Sequence, residues 1–237
     1  MLEELKTLLA YCNASTSSKK EYVAAINEEN CLGKRSAKTR MLTYRHLASL
    51  YALDSEVLLF RTFLYFWYRD TQSQPLLALL CAYARDTILR DSAAFIRKHG
   101  IGERVSREDL EAYIDSKSPG RFSQATLRST AQNINASWTQ TGHLRGRRLK
   151  IRSQASPSAG CVAYALLLGY LTGSRGVSLF QNEYTHLLDC KEDTILALAE
   201  EASRKGWITL KRIEDVVEVQ FPELLSQDEV IGLYEQN

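Results

Sequence analysis

Residues 137–152 read SWTQTGHLRGRRLKIR, a run that joins the end of a helix to a strongly basic segment. Gly142 interrupts the helical pattern, and five of the last eight residues are Lys or Arg. No Asp or Glu occurs between Asp115 and Glu183, although these 67 residues include nine Lys and Arg as well as His143. Because a solvated surface usually mixes both signs of charge, a long stretch of one sign indicates a surface that meets a polyanion.

The residues around this run predict a winged helix. Ser106 and Ser123 are good N-caps for two successive helices, which a Ser-Pro-Gly turn separates. The second helix carries amide, hydroxyl and guanidinium groups opposite Trp138, and such groups hydrogen-bond to phosphates and base edges. After it, residues 143–152 have the pattern of two short strands that turn at Gly146. We therefore expect the second helix to enter the major groove and the hairpin to lie along phosphates.

A second candidate unit lies nearer the N-terminus. Apolar residues at helical spacing predict helices over residues 19–29 and 37–51, and the tight turn at Gly33 between them makes a helix-turn-helix pattern. No acid occurs between Glu29 and Asp54, while Lys and Arg cluster near the start of the second helix. Recognition helices contact DNA through their N-terminal residues, so this placement predicts DNA contact. A helical hairpin with a solvated basic end is the alternative.

The candidate nucleic-acid-binding residues lie in these two segments. Replacing the cations should weaken binding to all DNA sequences alike, whereas replacing the glutamines should alter sequence preference. The full set is Lys34, Arg35, Lys38, Arg40, Arg45, Arg121, Arg128, Gln132, Gln140, Thr141, His143, Arg145, Arg147, Arg148, Lys150 and Arg152.

Apolar residues recur at helical spacing along most of the chain, so the fold class is expected to be mainly α. The 237 residues are 45% hydrophobic and 24% charged, a balance that can bury a core. Near the C-terminus, residues 207–213 and 216–221 alternate and join at Glu214 and Asp215, which predicts a β-hairpin. We therefore expect a compact helical protein with two helix-turn-helix or winged-helix-like units and small β-hairpins.

Two domains are expected. Residues 1–104 form a helical domain with the helix-turn-helix, and residues 105–237 form a winged-helix-like domain with a terminal helix and hairpin. The C-terminal third repeats the order of helix and hairpin, but from residue 183 onward it carries 13 acids against five Lys and Arg. This segment is therefore expected to pack or to meet a protein partner and not to bind nucleic acid.

Composition and motif spacing argue against secretion, membrane insertion and catalysis. Five isolated cysteines without a CxxC pair are typical of a reduced, cytoplasmic protein, and the longest apolar runs fall short of the roughly 20 residues that a spanning helix needs. The four histidines lie far apart, and no phosphate-binding glycine loop occurs. The nearest approach to a nuclease pattern is Asp215 with Glu218, whose spacing is too close for a metal site. We expect no catalytic residues, no metal and no cofactor.

Four features together resemble the BrxA family of bacterial BREX phage-defence systems. They are the helix-turn-helix of residues 30–51, the aromatic helix of residues 60–69, the Trp138 helix with its basic tail, and the helix and hairpin of residues 194–221. The resemblance implies a small, mainly helical protein, likened to the antitermination factor NusB, that binds DNA. It also implies an accessory role beside a methyltransferase and an ATPase, with no active-site residues to carry over.

The function that these observations favour is non-enzymatic binding of double-stranded DNA by an accessory protein of a phage-defence system. The expected partners are double-stranded DNA and other defence-system proteins, with no membrane. One alternative is RNA binding by a NusB-like protein, which the likeness to NusB favours. Competition between duplex DNA, duplex RNA and single strands would decide it, because the grooves of A-form RNA are read differently. Another is a protein–protein adaptor within a defence complex, whose basic window docks on an acidic partner. A metal-dependent nuclease is the third.

Overall fold

Helices make up most of the computed structural model, which describes residues 1–12, 17–213 and 216–235. The mainly α fold class that the sequence predicts is confirmed. Short 3-10 turns at Thr71–Ser73 and Gly176–Gln181 supplement the α-helices. The α-helices of the described residues are α1 Leu2–Tyr11, α2 Lys19–Asn27, α3 Ala37–Tyr51, α4 Leu58–Arg69, α5 Gln74–Arg85, α6 Thr87–Arg97, α7 Arg107–Lys117, α8 Gln124–Gln140, α9 Ala159–Leu171, α10 Glu183–His186, α11 Glu192–Arg204 and α12 Gln227–Glu235.

Two small antiparallel sheets complete the described secondary structure. Their strands are β1 Arg104–Val105, β2 Leu144–Arg145, β3 Lys150–Arg152, β4 Thr209–Ile213 and β5 Val216–Gln220. The first sheet has the order β1-β3-β2, and the second pairs β4 with β5. Both predicted hairpins are therefore present, although the predicted turn of the second, Glu214 and Asp215, lies outside the described residues. The sequence does not predict β1.

The chain divides into two compact units, each made of two stretches of sequence. Unit 1 comprises Met1–Arg61 and Cys81–Ala155, and unit 2 comprises Thr62–Leu80 and Ser156–Asn237. α4 and α5 each contribute residues to both units. The boundary that the sequence predicts, between residues 104 and 105, falls inside unit 1 and stays a prediction of the sequence alone.

In unit 1, the segment for which the sequence predicts a helix-turn-helix forms α2, a turn and α3. Ser18 begins α2 with a capping box, and the Ser36 side chain caps α3. Between the helices, Asn30 and Gly33 have positive φ angles of 54° and 60°. Asn and Gly adopt this left-handed conformation at low cost, so the chain can reverse within a few residues. α2 and α3 then pack against each other.

α8 is anchored in unit 1 by Trp138, whose side chain has 0% exposure. Its Nε1 donates a hydrogen bond to Oγ of Ser92 on α6, at 2.9 Å. The indole and the imidazole of His143 are nearly perpendicular, with 4.8 Å between ring centroids. Immediately after the helix, Gly142 adopts a φ of 85° and redirects the chain into β2. One face of α8 is thereby fixed against the core, and the opposite face is exposed.

The core of unit 2 contains a cluster of aromatic rings around α9. Tyr164 on α9 lies 6.2 Å from Phe63 and 6.1 Å from Phe66, measured between ring centroids. Trp207 lies 6.3 Å from Phe66. Twelve of the thirteen residues of α9 are buried, and Leu171 is the exception. Such burial is expected for a helix that is apolar on every side. Across the described ranges, we find no helix with both the length and the apolar character needed to cross a membrane.

A carboxylate from the first stretch of unit 2 caps the N-terminus of α9. Oδ2 of Asp70 accepts hydrogen bonds from the Gly160 N–H at 2.8 Å, Ser158 Oγ at 3.0 Å and Ser73 Oγ at 2.7 Å. A Cβ atom at Gly160 would lie 2.7 Å from Cβ of Asp70, so glycine is required for this approach. Negative charge is stabilising at a helix N-terminus, and this contact ties the two stretches of unit 2 together.

Candidate nucleic-acid interface

The segment that presents the predicted interface begins with two capped helices in unit 1. Ser106 accepts a hydrogen bond from the Asp109 N–H at 3.2 Å, and Ser123 accepts one from the Thr126 N–H at 3.2 Å. These contacts satisfy backbone donors at the starts of α7 and α8. Gly120, with a φ of 71°, lies in the turn between the helices. α7 and α8 pack against each other and fix which face of α8 is exposed.

The exposed face of α8 is polar and free of acids. Arg128, Gln132 and Gln140 are exposed, as the sequence predicts for residues that contact nucleic acid. Ala125 and Ala136 are also exposed on this helix. Because these side chains are short, a bound molecule can approach the helix backbone closely at both positions.

A solvent-open cavity of about 460 Å³ lies between α7 and α8. The Nε atom of Arg107 is 2.8 Å from Glu111 Oε1, and its Nη2 atom is 2.6 Å from Glu108 Oε1, so acids on α7 match this cation. Arg128 has no hydrogen-bond or ion-pair partner among the described residues. The unmatched positive charge of the cavity is therefore on α8. The lining residues are Arg107, Glu111, Gln124, Ala125, Arg128, Ser129 and Gln132.

The basic hairpin, which we define as residues 144–152, is held in a fixed shape at its loop. Gly146 has a φ of 95°, and a Cβ atom there would collide with the carbonyl oxygen of Leu149. Nζ of Lys150 donates a hydrogen bond to the Gly146 carbonyl oxygen at 2.7 Å. Burial lowers the pKa of the Lys150 ammonium group from its usual value. Lys150 therefore braces the loop, in addition to carrying positive charge.

Three arginines of the basic hairpin are exposed. Arg145 lies on β2, and Arg147 and Arg148 lie in the loop. None of them has an ion-pair or hydrogen-bond partner within the part of the chain that the structure describes. Cations that no acid of the protein neutralises are available to phosphates. The structure therefore places this part of the predicted site at the surface.

Arg104 is a further cation of this surface that the sequence does not single out. It lies opposite Ile151 in the β1–β3 pair, and Arg145 lies opposite Ile151 in the β2–β3 pair. Directly opposed residues share a face of a sheet, so the two arginines flank Ile151 on the same side. Arg104 follows Glu103 and precedes the acids of α7, which puts it outside the acid-free window. The pairing of β1 with β3 places it on the same face of the sheet as Arg145, on the other side of Ile151.

Three predicted contact residues lie in the interior and need a different role. Thr141, His143 and Arg152 are 8%, 1% and 4% exposed. Thr141 Oγ1 is 2.8 Å from His143 Nδ1, and Arg152 Nη1 donates to the carbonyl oxygens of His143, at 3.1 Å, and Ser153. These contacts join the end of α8 to the base of the basic hairpin. The three residues support the hairpin and do not reach a surface ligand, which corrects the prediction.

The corrected role of Arg152 gives a test on stability. Arg152→Ala should lower the free energy of unfolding by about 1–3 kcal/mol, because it removes hydrogen bonds to the His143 and Ser153 carbonyl oxygens and opens a cavity, although the His143 oxygen keeps the Ser153 N–H as a donor. Arg145→Ala removes the same charge from an exposed position and should change stability by no more than about 0.5 kcal/mol. Urea denaturation of both variants measures the difference. Equal values for the two variants would contradict the buried position of Arg152.

The predicted contacts at the start of α3 separate into two groups. Nζ of Lys34 is 3.1 Å from Glu4 Oε1, and Nε of Arg40 donates to the Asn27 carbonyl oxygen at 2.9 Å. Both side chains are partly buried and contribute to packing within unit 1. The remaining cations of this segment are exposed and have no such partner among the described residues. They are Arg35, Lys38 and Arg45. Arg121, in the turn before α8, is exposed as well, with its guanidinium 5.0 Å from the Phe122 ring.

No group of three or more His, Cys, Asp or Glu side chains among the described residues could hold a metal ion. Asp215 of the weak nuclease pattern lies outside the described residues, and Glu218 is exposed on β5. Cys161 lies beside Ser158, but burial raises the pKa of its thiol to about 11, so it stays protonated near neutral pH. The arrangement around Cys161 serves to cap α9.

The chain matches no known family model, and no curated protein or solved structure is significantly similar to it. The resemblance to the BrxA family therefore stays a prediction based on the residues. The case for a function depends on the geometry and charge of the chain itself.

Proposed function

We propose that this protein binds double-stranded DNA without catalysing a reaction, and that residues 87–152 act as a winged helix. The order α6, β1, α7, α8, β2, β3, with the sheet order β1-β3-β2, supports this assignment. In such a unit α8 is the helix for the major groove, and the basic hairpin is the wing. The observation that carries the proposal is the set of exposed arginines without partners on these two elements: Arg128, Arg145, Arg147 and Arg148.

The surface of α8 suits the major groove of B-DNA. That groove is about 12 Å wide and admits one helix, and the exposed alanines of α8 allow a close approach. Gln132 and Gln140 are eight positions apart, so their base contacts would lie about 12 Å apart along the helix. Gln can bond adenine and Arg can bond guanine with two hydrogen bonds each. Arg128, Gln132 and Gln140 are thus the candidates for reading sequence.

The distribution of charge favours DNA contact by unit 1. Its sequence carries 23 Lys and Arg against 14 acids, whereas that of unit 2 carries seven against 14. A positive field attracts the phosphate backbone and speeds association, and the effect weakens as salt screens it. Unit 2 would be repelled by the same phosphates. The three exposed cations at the start of α3 belong to unit 1 and would add a second set of phosphate contacts.

The test is a gel-shift titration of duplex DNA over a range of salt concentrations. Replacing Arg145, Arg147 and Arg148 together by Ala should weaken binding to every sequence and reduce the slope of log K against log salt by about 2.7, since each phosphate contact contributes about 0.9. A matched control replaces Lys191, Arg204 and Lys211 of unit 2, which are also exposed. This control has the same net charge and should retain the slope.

Two outcomes would count against the proposal. If neither triple variant changes affinity, the basic hairpin does not contact phosphates. If both triple variants lower the affinity for DNA equally, the loss depends only on net charge and not on the position of the arginines. A separate change, Gln132→Ala, should alter the ranking of DNA sequences and leave the salt slope nearly unchanged, because a base-edge contact releases no counterion.

Groove dimensions favour DNA over RNA as the ligand. The major groove of A-form RNA is too narrow and deep for a helix, so α8 would not reach base edges there. Competition among duplex DNA, duplex RNA and single strands checks this directly. Preferential displacement by duplex RNA would support the NusB-like alternative.

An accessory role in a phage-defence complex rests on the resemblance to the BrxA family. The adaptor function has one structural observation in its favour, because Ile213 and Val216 are 76% and 71% exposed on the acidic unit 2. Exposed apolar side chains of this kind can take part in protein contacts. Binding of defence-system proteins by a variant that no longer binds DNA would support the adaptor function as a second activity.

A further inference from the structure

Leu149 is an apolar side chain in the most basic part of the surface. It is 46% exposed, and it follows Arg147 and Arg148 directly in the loop of the basic hairpin. The other apolar residues of the hairpin are more protected, since Leu144 is buried and Ile151 is partly buried. Phosphates offer no apolar contact, so a leucine at this position is poorly suited to a surface that only follows the DNA backbone.

The loop that carries these exposed side chains is held in one turn. The positive φ of Gly146 and the hydrogen bond from Lys150 to its carbonyl oxygen fix the turn of residues 146–149. Lys150 is engaged in this bond, which leaves arginine as the cation of the loop itself. A preorganised loop loses little conformational freedom when its side chains become buried in a ligand.

We infer that the loop of residues 146–149 enters the minor groove, where Arg147 and Arg148 lie between the phosphates of the two strands and Leu149 wedges against a base step and bends the duplex. This inference rests on the proposed DNA binding. The minor groove of B-DNA is about 6 Å wide, while two paired strands are already about 5 Å apart between their backbones. Side chains of the loop can therefore enter the groove while β2 and β3 remain outside it.

The type of cation in the loop indicates which sequences it prefers. Narrow minor grooves of A·T-rich DNA concentrate negative potential and attract inserted arginine side chains. Proteins that bend DNA from the minor groove commonly place an apolar side chain between base steps. Arginines followed by an exposed leucine on a fixed loop combine both features, so the preferred site has an A·T-rich segment at the wing.

The experiment measures bending and binding separately. A duplex of about 30 base pairs, labelled at both ends, reports its end-to-end distance by fluorescence energy transfer. The full-length protein should shorten that distance. Leu149→Ala should reduce the bend by at least about half while changing affinity by less than about fivefold, because phosphate contacts dominate affinity. Val177→Ala is the control, since Val177 is 45% exposed and lies in unit 2.

Groove choice is tested with a charge-conserving variant. Replacing Arg147 and Arg148 by Lys should keep the salt slope but reduce the preference for A·T-rich over G·C-rich duplexes by about threefold or more. Netropsin, which occupies the A·T minor groove, should displace the wild-type wing and lower affinity. Binding without bending, or a Leu149→Ala complex bent as strongly as wild type, would overturn the inference and leave the proposed function standing. Absence of any duplex binding at low salt would overturn both.

Discussion

Trp138→Ala should lower the free energy of unfolding by about 3–5 kcal/mol, the usual range for removal of a fully buried large aromatic side chain. The indole has 0% exposure, so its removal leaves a cavity between α8 and its neighbours. The change also removes the donor that reaches Ser92 Oγ and the ring that packs on His143. Urea denaturation at neutral pH measures the loss. In a domain of ordinary stability this is a large part of the total.

Trp138→Phe separates the hydrogen bond from the packing. Phenylalanine retains an apolar ring but cannot donate to Ser92, so we expect a loss of about 1–2 kcal/mol. The two variants should therefore differ by about 1–4 kcal/mol. A loss below about 1 kcal/mol for Trp138→Ala would mean that α8 is not anchored by this residue. DNA binding by Trp138→Ala should fail only at temperatures where the variant unfolds.

Asp70→Ala should cost about 2–4 kcal/mol in unit 2, the second largest expected effect. Three donors converge on Oδ2 of this carboxylate, and the Gly160 N–H has no alternative acceptor within its own turn. The loss of negative charge at the start of α9 adds to the cost. Thermal and urea denaturation should both show this loss of stability. Unfolding should be accompanied by a loss of aromatic circular dichroism from the cluster around Tyr164.

The same carboxylate makes stability depend on pH. Burial raises the pKa of Asp70, but hydrogen bonds from Ser73, Gly160 and Ser158 outweigh burial and hold the pKa below its usual value. A group whose pKa is lower in the folded state stabilises the fold above the unfolded-state pKa of about 4, and this contribution is lost as pH falls through the folded-state pKa. The stability advantage of wild type over Asp70→Asn should therefore be full at pH 7 and shrink below about pH 4. An advantage that does not change with pH would contradict this account.

Local rules of sequence predict the helices of this fold well where strong caps mark their ends. Ser36 and Ser123 mark the starts of α3 and α8, and Gly142 lies just beyond the end of α8. These signals act within a few residues, so they can be read without knowledge of the rest of the chain. The same holds for the turn of the basic hairpin at Gly146. β1 could not be found in this way, because two residues become a strand only through pairing with β3.

The sequence predicts the exposed arginines of the candidate site, but it does not predict the buried residues that support them. Lys150, Ile151 and Arg152 alternate polar and apolar, a pattern that by itself puts the isoleucine inside. The structure has the opposite arrangement, with Arg152 buried and Ile151 between two exposed arginines. A three-residue strand is too short for alternation to determine which face each side chain takes, and one of the carbonyl groups that accept from Arg152 belongs to His143, which only the pairing of β2 with β3 brings near. Only the assembled unit determines which cations remain at the surface.

The two separate stretches of unit 2 affect the order in which a newly made chain can fold. Phe63 and Phe66 leave the ribosome well before Ser156, with the second stretch of unit 1 between them. At about 5–20 residues per second, synthesis of the intervening segment of roughly 75 residues takes about 4–15 s. During this time Phe63 and Phe66 lack their partners Tyr164 and Trp207, while the ribosome synthesises the second stretch of unit 1. A chain cut short near residue 155 would contain all of unit 1 and still expose this aromatic stretch, which makes early termination a route to aggregation.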